Sequence, residues 1–200
     1  MQNDLPNEAT DPAATLETSV LWTIGHSTRP IEEFLGLLTT YGIHMLVDVR
    51  TIPFSRHNPQ FHQDALAKSL AAADIQYRHM PALGGRRKSR QNSINVGWRN
   101  QGFRGYADYM QTREFWNALE DLMVTAQRVS VTIMCAEAVP WRCHRTLIAD
   151  ALVSRGWTVQ HIISINSLRP HTLTPFANLV GNRLIYSDEH ASDSTLPLFD

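Results

Sequence analysis

The segment MCAEAVPWRCHR, residues 134–145, sets two thiols, a carboxylate, an imidazole and two guanidinium groups close together in the chain. A thiol acts as nucleophile, redox centre or metal ligand once it is a thiolate, and positive charge nearby favours that form. VSVTIMC (129–135) reads as a buried strand, and alternation puts Cys135 and Glu137 on one side as the chain leaves it. Pro140 is expected to open a helix, placing Cys143, His144 and Arg145 in or near its first turn. A helix N-terminus attracts anions and lowers the pKa of a nearby thiol, and Arg142 and Arg145 add formal charge. His144 is positioned by spacing to act as a base or to hold a thiolate. Cys143 shares a helical face with Leu147 and Ala151, and Cys135 ends an apolar strand, so each thiol also reads as a small core residue. Core packing does not account for Glu137, His144 and Arg145, which are seldom buried without partners. The cluster therefore reads as a functional site.

Two familiar patterns fit it loosely. Phosphatases and rhodaneses place a cysteine at a strand end, then a phosphate-cradling loop and an arginine. Here six residues separate Cys135 from Arg142 and none is glycine. A zinc reading takes Cys135, Cys143 and His144, with His26 as fourth ligand. Adjacency of Cys143 and His144, and the lack of a paired CxxC, count against a structural zinc. No metal is assigned, and the cofactor stays unknown.

The elements that position this cluster alternate between strand and helix. Apolar runs at 20–24, 44–50, 75–80, 129–135 and 158–163 read as strands. Helices are expected from Pro30 to Gly42, from Asn58-Pro59 to about Ala73, after Thr112, and from Pro140 to Gly156. Such alternation predicts an α/β single domain, a mainly parallel sheet of about five strands with helices on both faces. Ligands of such sheets bind beyond the carboxyl ends of the strands. His26, Asp48, Arg50, Cys135 and Glu137 all fall at those ends.

The 200 residues suit one core rather than two, and a net charge of −1 gives no general pull towards nucleic acid or membrane. No apolar run reaches a membrane span, and the start lacks the features of a signal peptide, so a cytoplasmic location with reduced thiols is expected. Residues 1–18 are expected to be a disordered leader, 19–183 the α/β domain, and 184–200 a flexible tail.

The ordered series TIGHS (23–27), VDVR (47–50) with Pro53 and Ser55, LGG (83–85), FRGYADYM (103–110) and MCAE…P…CHR (134–145) resembles the uncharacterised bacterial family called domain of unknown function 488. The likeness covers roughly residues 20–165. It implies that His26, Asp48, Arg50, Cys135, Glu137, Cys143, His144 and Arg145 form one constellation, and it supplies no reaction.

From Arg78 to Arg104 the chain carries seven basic and no acidic residues up to Arg104, among them Arg86, Arg87 and Arg104. This loop follows the third strand and should overhang the cysteines. Gly84 and Gly85 permit close backbone approach to a ligand, and Trp98, Phe103, Tyr106 and Tyr109 are of a type that stacks on bases. Arg50, Ser55, Gly84, Gly85, Arg86, Arg87, Arg104 and Tyr106 are thus the expected substrate-binding residues. The end, TLPLF, resembles the peptide by which bacterial repair proteins dock on the DNA sliding clamp, through Leu196, Leu198 and Phe199, although Thr195 stands where glutamine is usual.

The expectation is an enzyme acting on a phosphate-containing nucleotide or nucleic acid. His26, Asp48, Cys135, Glu137, Cys143, His144 and Arg145 are its candidate catalytic residues. The rivals are a non-catalytic nucleic-acid-binding module in DNA maintenance and a metal-dependent enzyme using the Cys/His cluster.

Overall fold

Apolar residues alternate between the two faces of the strands, and this alternation builds a three-layer fold. The structure, a computed structural model, describes residues 19–187; the expected leader and the clamp-docking peptide lie outside the described residues. The elements are β1 (Val20–Gly25), α1 (Ile31–Thr40), β2 (Met45–Asp48), α2 (Gln63–Ala71), β3 (Gln76–His79), α3 (Gln101–Tyr109), α4 (Arg113–Ala126), β4 (Val131–Cys135), α5 (Arg145–Val153), β5 (Thr158–Ser164), β6 (Ser167–Pro170), β7 (Ala177–Val180) and β8 (Arg183–Tyr186). The main sheet has the order β3-β2-β4-β1-β5-β6. Its first five strands in that order are parallel, as expected, and β6 is an antiparallel edge.

Ile24, Leu46, Met134 and Ile162 face α1 and α2, where they pack with Phe34, Leu38, Leu66 and Leu70. Their neighbours Leu21, Val47, Ile133 and Val159 face the opposite way and pack with residues of α3, α4 and α5. Each such side chain, fully buried, contributes about 1.5–3 kcal/mol, so register is fixed strongly on both faces.

Four features depart from the sequence reading. The stretch expected to be a polar loop before Thr112 contains α3, whose first turn is capped by the Asn100 side chain accepting from the amides of Gly102 and Phe103. Pro140 opens only a 3-10 turn, Pro140–Arg142; Cys143 is extended (φ −136°, ψ 146°) and α5 begins at Arg145. The sixth strand β6 and the hairpin β7–β8, turning at Gly181 (φ 58°), had no counterpart in the expected elements. The domain boundary expected at residue 183 falls on the first residue of β8, whose Leu184 and Tyr186 are buried. No helix among the described residues is long and apolar enough to cross a membrane.

Candidate active site

β2, β4 and β1 are neighbours at the centre of the sheet, so their carboxyl ends meet. Gly25 is level with Cys135, and Asp48 with Met134. Pairing continues past the strands, with the amides of His26 and Ser27 donating to the carbonyls of Cys135 (3.0 Å) and Ala136 (2.9 Å). The chain leaving β4 therefore lies across the end of β1. Only glycine fits beneath it: a Cβ on Gly25 would overlap the carbonyl oxygen of Glu137.

This crossing holds Cys135 beside Cys143 and His144. The two sulfurs and His144 Nδ1 all lie within 4.8 Å of one another. Nδ1 is 3.9 Å from Cys135 Sγ and 3.7 Å from Cys143 Sγ. Its orientation is fixed from behind, because His144 Nε2 lies 3.0 Å from the Val49 carbonyl, which can only accept. Nε2 therefore carries the proton, and Nδ1 turns its lone pair to the sulfurs. Both thiols are buried. The neighbouring Cys143 sulfur, together with burial, pushes Cys135 well above its ordinary value. Burial acts upward on Cys143 too, but the hydrogen bond from the Cys135 thiol and the Arg145 guanidinium hold Cys143 well below its ordinary value. Cys143 is thus the more acidic of the two thiols, and what lowers it is side chains rather than the helix-terminal amides expected from the sequence.

Arg145 is 1% exposed, so its charge must be spent on neighbours. Nε donates to Cys143 Sγ (3.4 Å), Nη2 to the Glu137 carbonyl (2.5 Å) and Nη1 to Thr23 Oγ1 (3.4 Å). From Thr23 the polar path continues inward. Thr23 Oγ1 meets His161 Nδ1 at 2.8 Å, His161 Nε2 meets His171 Nδ1 at 3.0 Å, and His171 Nε2 meets Asp150 Oδ1 at 2.8 Å. One proton arrangement satisfies every link. Each group donates towards Asp150, and Arg145 starts the run. Asp150 is also held by Thr174 and by the Tyr186 hydroxyl, which ties α5 to β8. The role of this path is to fix Arg145, and through it the Cys143 sulfur.

His26, Asp48 and Arg50 form a second buried group at the same sheet edge. Asp48 accepts from Arg50 Nη2 (2.6 Å), Nε and backbone N–H, and from the Tyr77 hydroxyl (2.9 Å). Arg50 Nη1 points at His26 Nε2 (3.4 Å), while His26 Nδ1 lies 2.8 Å from the Ser27 carbonyl and its ring stacks on Phe61. His26 is thereby neutral, lowered by burial, with Arg50 beside it, to about 4. It does not join the cysteines as a fourth ligand, since both ring nitrogens are engaged elsewhere. Asp48, with no exposure, is absorbed in holding Arg50 rather than facing a ligand.

Above the sulfurs opens a cleft of about 480 Å³, lined by Arg50, Gly85, Arg86, Tyr106, Cys135, Glu137, Arg142, Cys143 and His144 among others. Of the expected substrate-binding residues, Arg50, Gly85, Arg86 and Tyr106 line it. Gly84 sits just behind, where a Cβ would press on Thr51. Arg87 lies over the Tyr109 ring and donates to the Gly84 carbonyl, Arg104 donates to the Trp98 carbonyl, and the Ser55 carbonyl pairs with His62; none of the three lines the cleft. The aromatics expected to stack on bases are largely structural. Tyr106 and Tyr109 are buried, donating to the carbonyls of Leu83 and Ala82, and Trp98 packs between Phe103 and Phe176. Burial holds Tyr106 far above its ordinary value, so it stays a phenol.

Arg142, Ile52 and Phe54 also line the cleft and were not among the expected binding residues, and Phe103, one of the aromatics expected to stack on bases, lines it too. Arg86 and Arg142 are exposed and form no ion pair among the described residues. Arg86 also holds a left-handed backbone (φ 58°), a conformation non-glycine residues rarely keep without a reason. Thr23, His161, His171 and Asp150 went unnoticed as well. A histidine in the middle of the apolar run TVQHII was the available signal.

The fold and site define an α/β protein with a thiol–imidazole cleft at the carboxyl edge of a parallel sheet. Residues 30–152 match the family described as domain of unknown function DUF488, and the chain belongs to it. No curated protein and no solved structure matches the chain significantly.

Proposed function

We propose that this protein is an enzyme acting on a phosphate-containing substrate, a nucleotide in preference to a long strand, bound in this cleft. The carrying observation is the arrangement of the cleft itself. The more acidic Cys143 sulfur and an oriented imidazole lie at its floor, and two arginines with no ion-pair partner among the described residues line its walls. Arg86 and Arg142 supply charge for phosphate, while Ile52, Phe54 and Phe103 supply an apolar wall for a flat base. Glu137 and His144 are the groups placed to move protons. A single strand is less well served, because Trp98, Tyr106 and Tyr109 are packed inside.

The reading is checked by calorimetric titration with pyrophosphate and with adenosine and thymidine mono-, di- and triphosphates at two salt concentrations. Binding should weaken with salt and fall about tenfold or more in the Arg86→Gln/Arg142→Gln double variant. Equal affinity in the variant, or no binding of any of these phosphates, would overturn it. The tail is a separate element of the proposal. Leu196, Leu198 and Phe199 would recruit the site to the DNA sliding clamp, in the cytoplasm. Deleting residues 195–200 should then abolish retention on immobilised clamp, and unchanged retention would remove that element.

A further inference from the structure

We propose that Cys135 Sγ, Cys143 Sγ and His144 Nδ1 bind one zinc-class divalent ion whose fourth coordination position opens into the cleft. The inference rests on the reading of this cleft as the functional site, and it names the reactive centre that the cleft holds.

Three independent features carry it. The first is spacing. Tetrahedral zinc, with Zn–S of about 2.3 Å and Zn–N of about 2.0–2.1 Å, sets a nitrogen-to-sulfur edge of about 3.5 Å. The two edges here are 3.9 and 3.7 Å, so an ion is accommodated by sub-ångström movements of side chains. The second is the surroundings of the ligands. A metal-binding histidine usually gives its remote N–H to a backbone carbonyl, as His144 Nε2 does to Val49. A thiolate ligand is steadied by N–H donors, as Cys143 is by Arg145 Nε, which is itself tied to Glu137 and Thr23. The third is clearance. A Cβ on Gly85 would stand 2.9 Å from His144 Nδ1, so glycine there leaves open the space beside the lone pair.

Among the described residues no fourth His, Cys or carboxylate joins the set, and His26 is held by Ser27 and Arg50. Three protein ligands with an open position is the arrangement of catalytic rather than structural zinc. Two thiolates and an imidazole select a soft or borderline ion over magnesium or calcium. Binding replaces the protons carried by the sulfurs, which pass to solvent, and no redox change is involved. A water or a substrate oxygen in the fourth position would lie among Glu137, Arg86 and Arg142, the remaining polar lining of the cleft.

Cobalt(II) is the probe, added to the chelator-treated full chain. Wild type should take up about one ion per chain, with the visible bands of tetrahedral cobalt and a near-ultraviolet thiolate charge-transfer band. Added azide should shift the visible bands by entering the open position. Cys135→Ser, Cys143→Ser and His144→Gln should each weaken uptake at least about tenfold. Gly85→Ala keeps all three ligands, guards against loss of uptake through misfolding, and should weaken binding by crowding Nδ1. His26→Gln should bind as wild type does. Octahedral cobalt spectra, uptake unchanged in the Cys135→Ser/Cys143→Ser double variant, or bands indifferent to azide would overturn the inference. Loss of metal uptake with phosphate binding intact removes this inference alone. Tight metal binding without phosphate binding removes the substrate reading and leaves the metal site.

Discussion

Gly25→Ala should be among the most destabilising single-methyl additions in this chain. Its Cβ would overlap the Glu137 carbonyl oxygen and crowd the Glu137 carbonyl carbon and the Ala138 oxygen, at 2.8 and 2.9 Å. These are backbone atoms, so no side-chain rotation relieves the clash. The segment 135–138 must lift off β1. Lifting it strains the bonds from His26 and Ser27 to Cys135 and Ala136, and the bond from Arg145 to Glu137. Overpacking costs about 1–3 kcal/mol and each strained hydrogen bond about 1 kcal/mol. A loss of about 3–5 kcal/mol in a urea titration is expected. Gly36→Ala is the control: Gly36 lies within α1 with open space around it, and the change should be neutral or stabilising by about 0.5–1 kcal/mol. A Gly25→Ala protein as stable as wild type would mean that the crossing of β4 over β1 is misdescribed.

Acid should unfold the protein well before its carboxylates alone would require. His26 and His161 are buried as neutral imidazoles, lowered by burial from the usual 6.5 to about 4 and about 3. In the unfolded chain both take a proton as pH falls through about 6.5, whereas the folded chain resists until much lower. The unfolded state thus binds more protons across this window, so stability is fully present above about 6.5 and is lost as pH falls towards 4. One unit on one group is about 1.4 kcal/mol, and two groups displaced by several units rival the whole stability of a typical domain, about 5–15 kcal/mol. Protonating His161 Nδ1 also removes the acceptor for the Thr23 hydroxyl and breaks the path behind Arg145. The urea midpoint should be flat from neutral pH down to about 6.5 and fall steeply below it. A His161→Gln variant should show a shallower fall. A midpoint unchanged down to pH 4 would contradict the buried neutral assignments.

The sheet was legible because its apolar runs are long and end at glycine, proline or polar residues, so β1, β2, β4 and β5 fall close to where the sequence puts them. α3 was hidden by Gly102, Gly105 and the charged residues around them; the Asn100 cap was its one clear local signal. The β7–β8 hairpin carried a two-residue Gly-Asn turn between apolar stretches, a pattern the tail's polar composition obscured. In the site, the meeting of Cys135, Cys143, His144 and Arg145 was legible from a strand end followed by a helix. The separate absorption of Asp48, Arg50 and His26 was not, because nothing local says that a carboxylate two residues before an arginine will fold back onto it. The basic loop misled for a related reason. Charge counted along the chain does not show that Arg78 meets Asp121 or that Arg87 lies on Tyr109.

A reactive sulfur in a cleft whose arginines attract anions should discriminate between reagents by charge. Alkylation of Cys143 by iodoacetate and by iodoacetamide, mapped by mass spectrometry on chelator-treated protein, tests it most directly. The two reagents differ in charge and little in size. Relative to free cysteine, the ratio of the two rates should favour the anionic reagent by about tenfold and return towards the free value in Arg86→Gln/Arg142→Gln. A ratio equal to that of free cysteine and unaltered by the double variant would contradict the account.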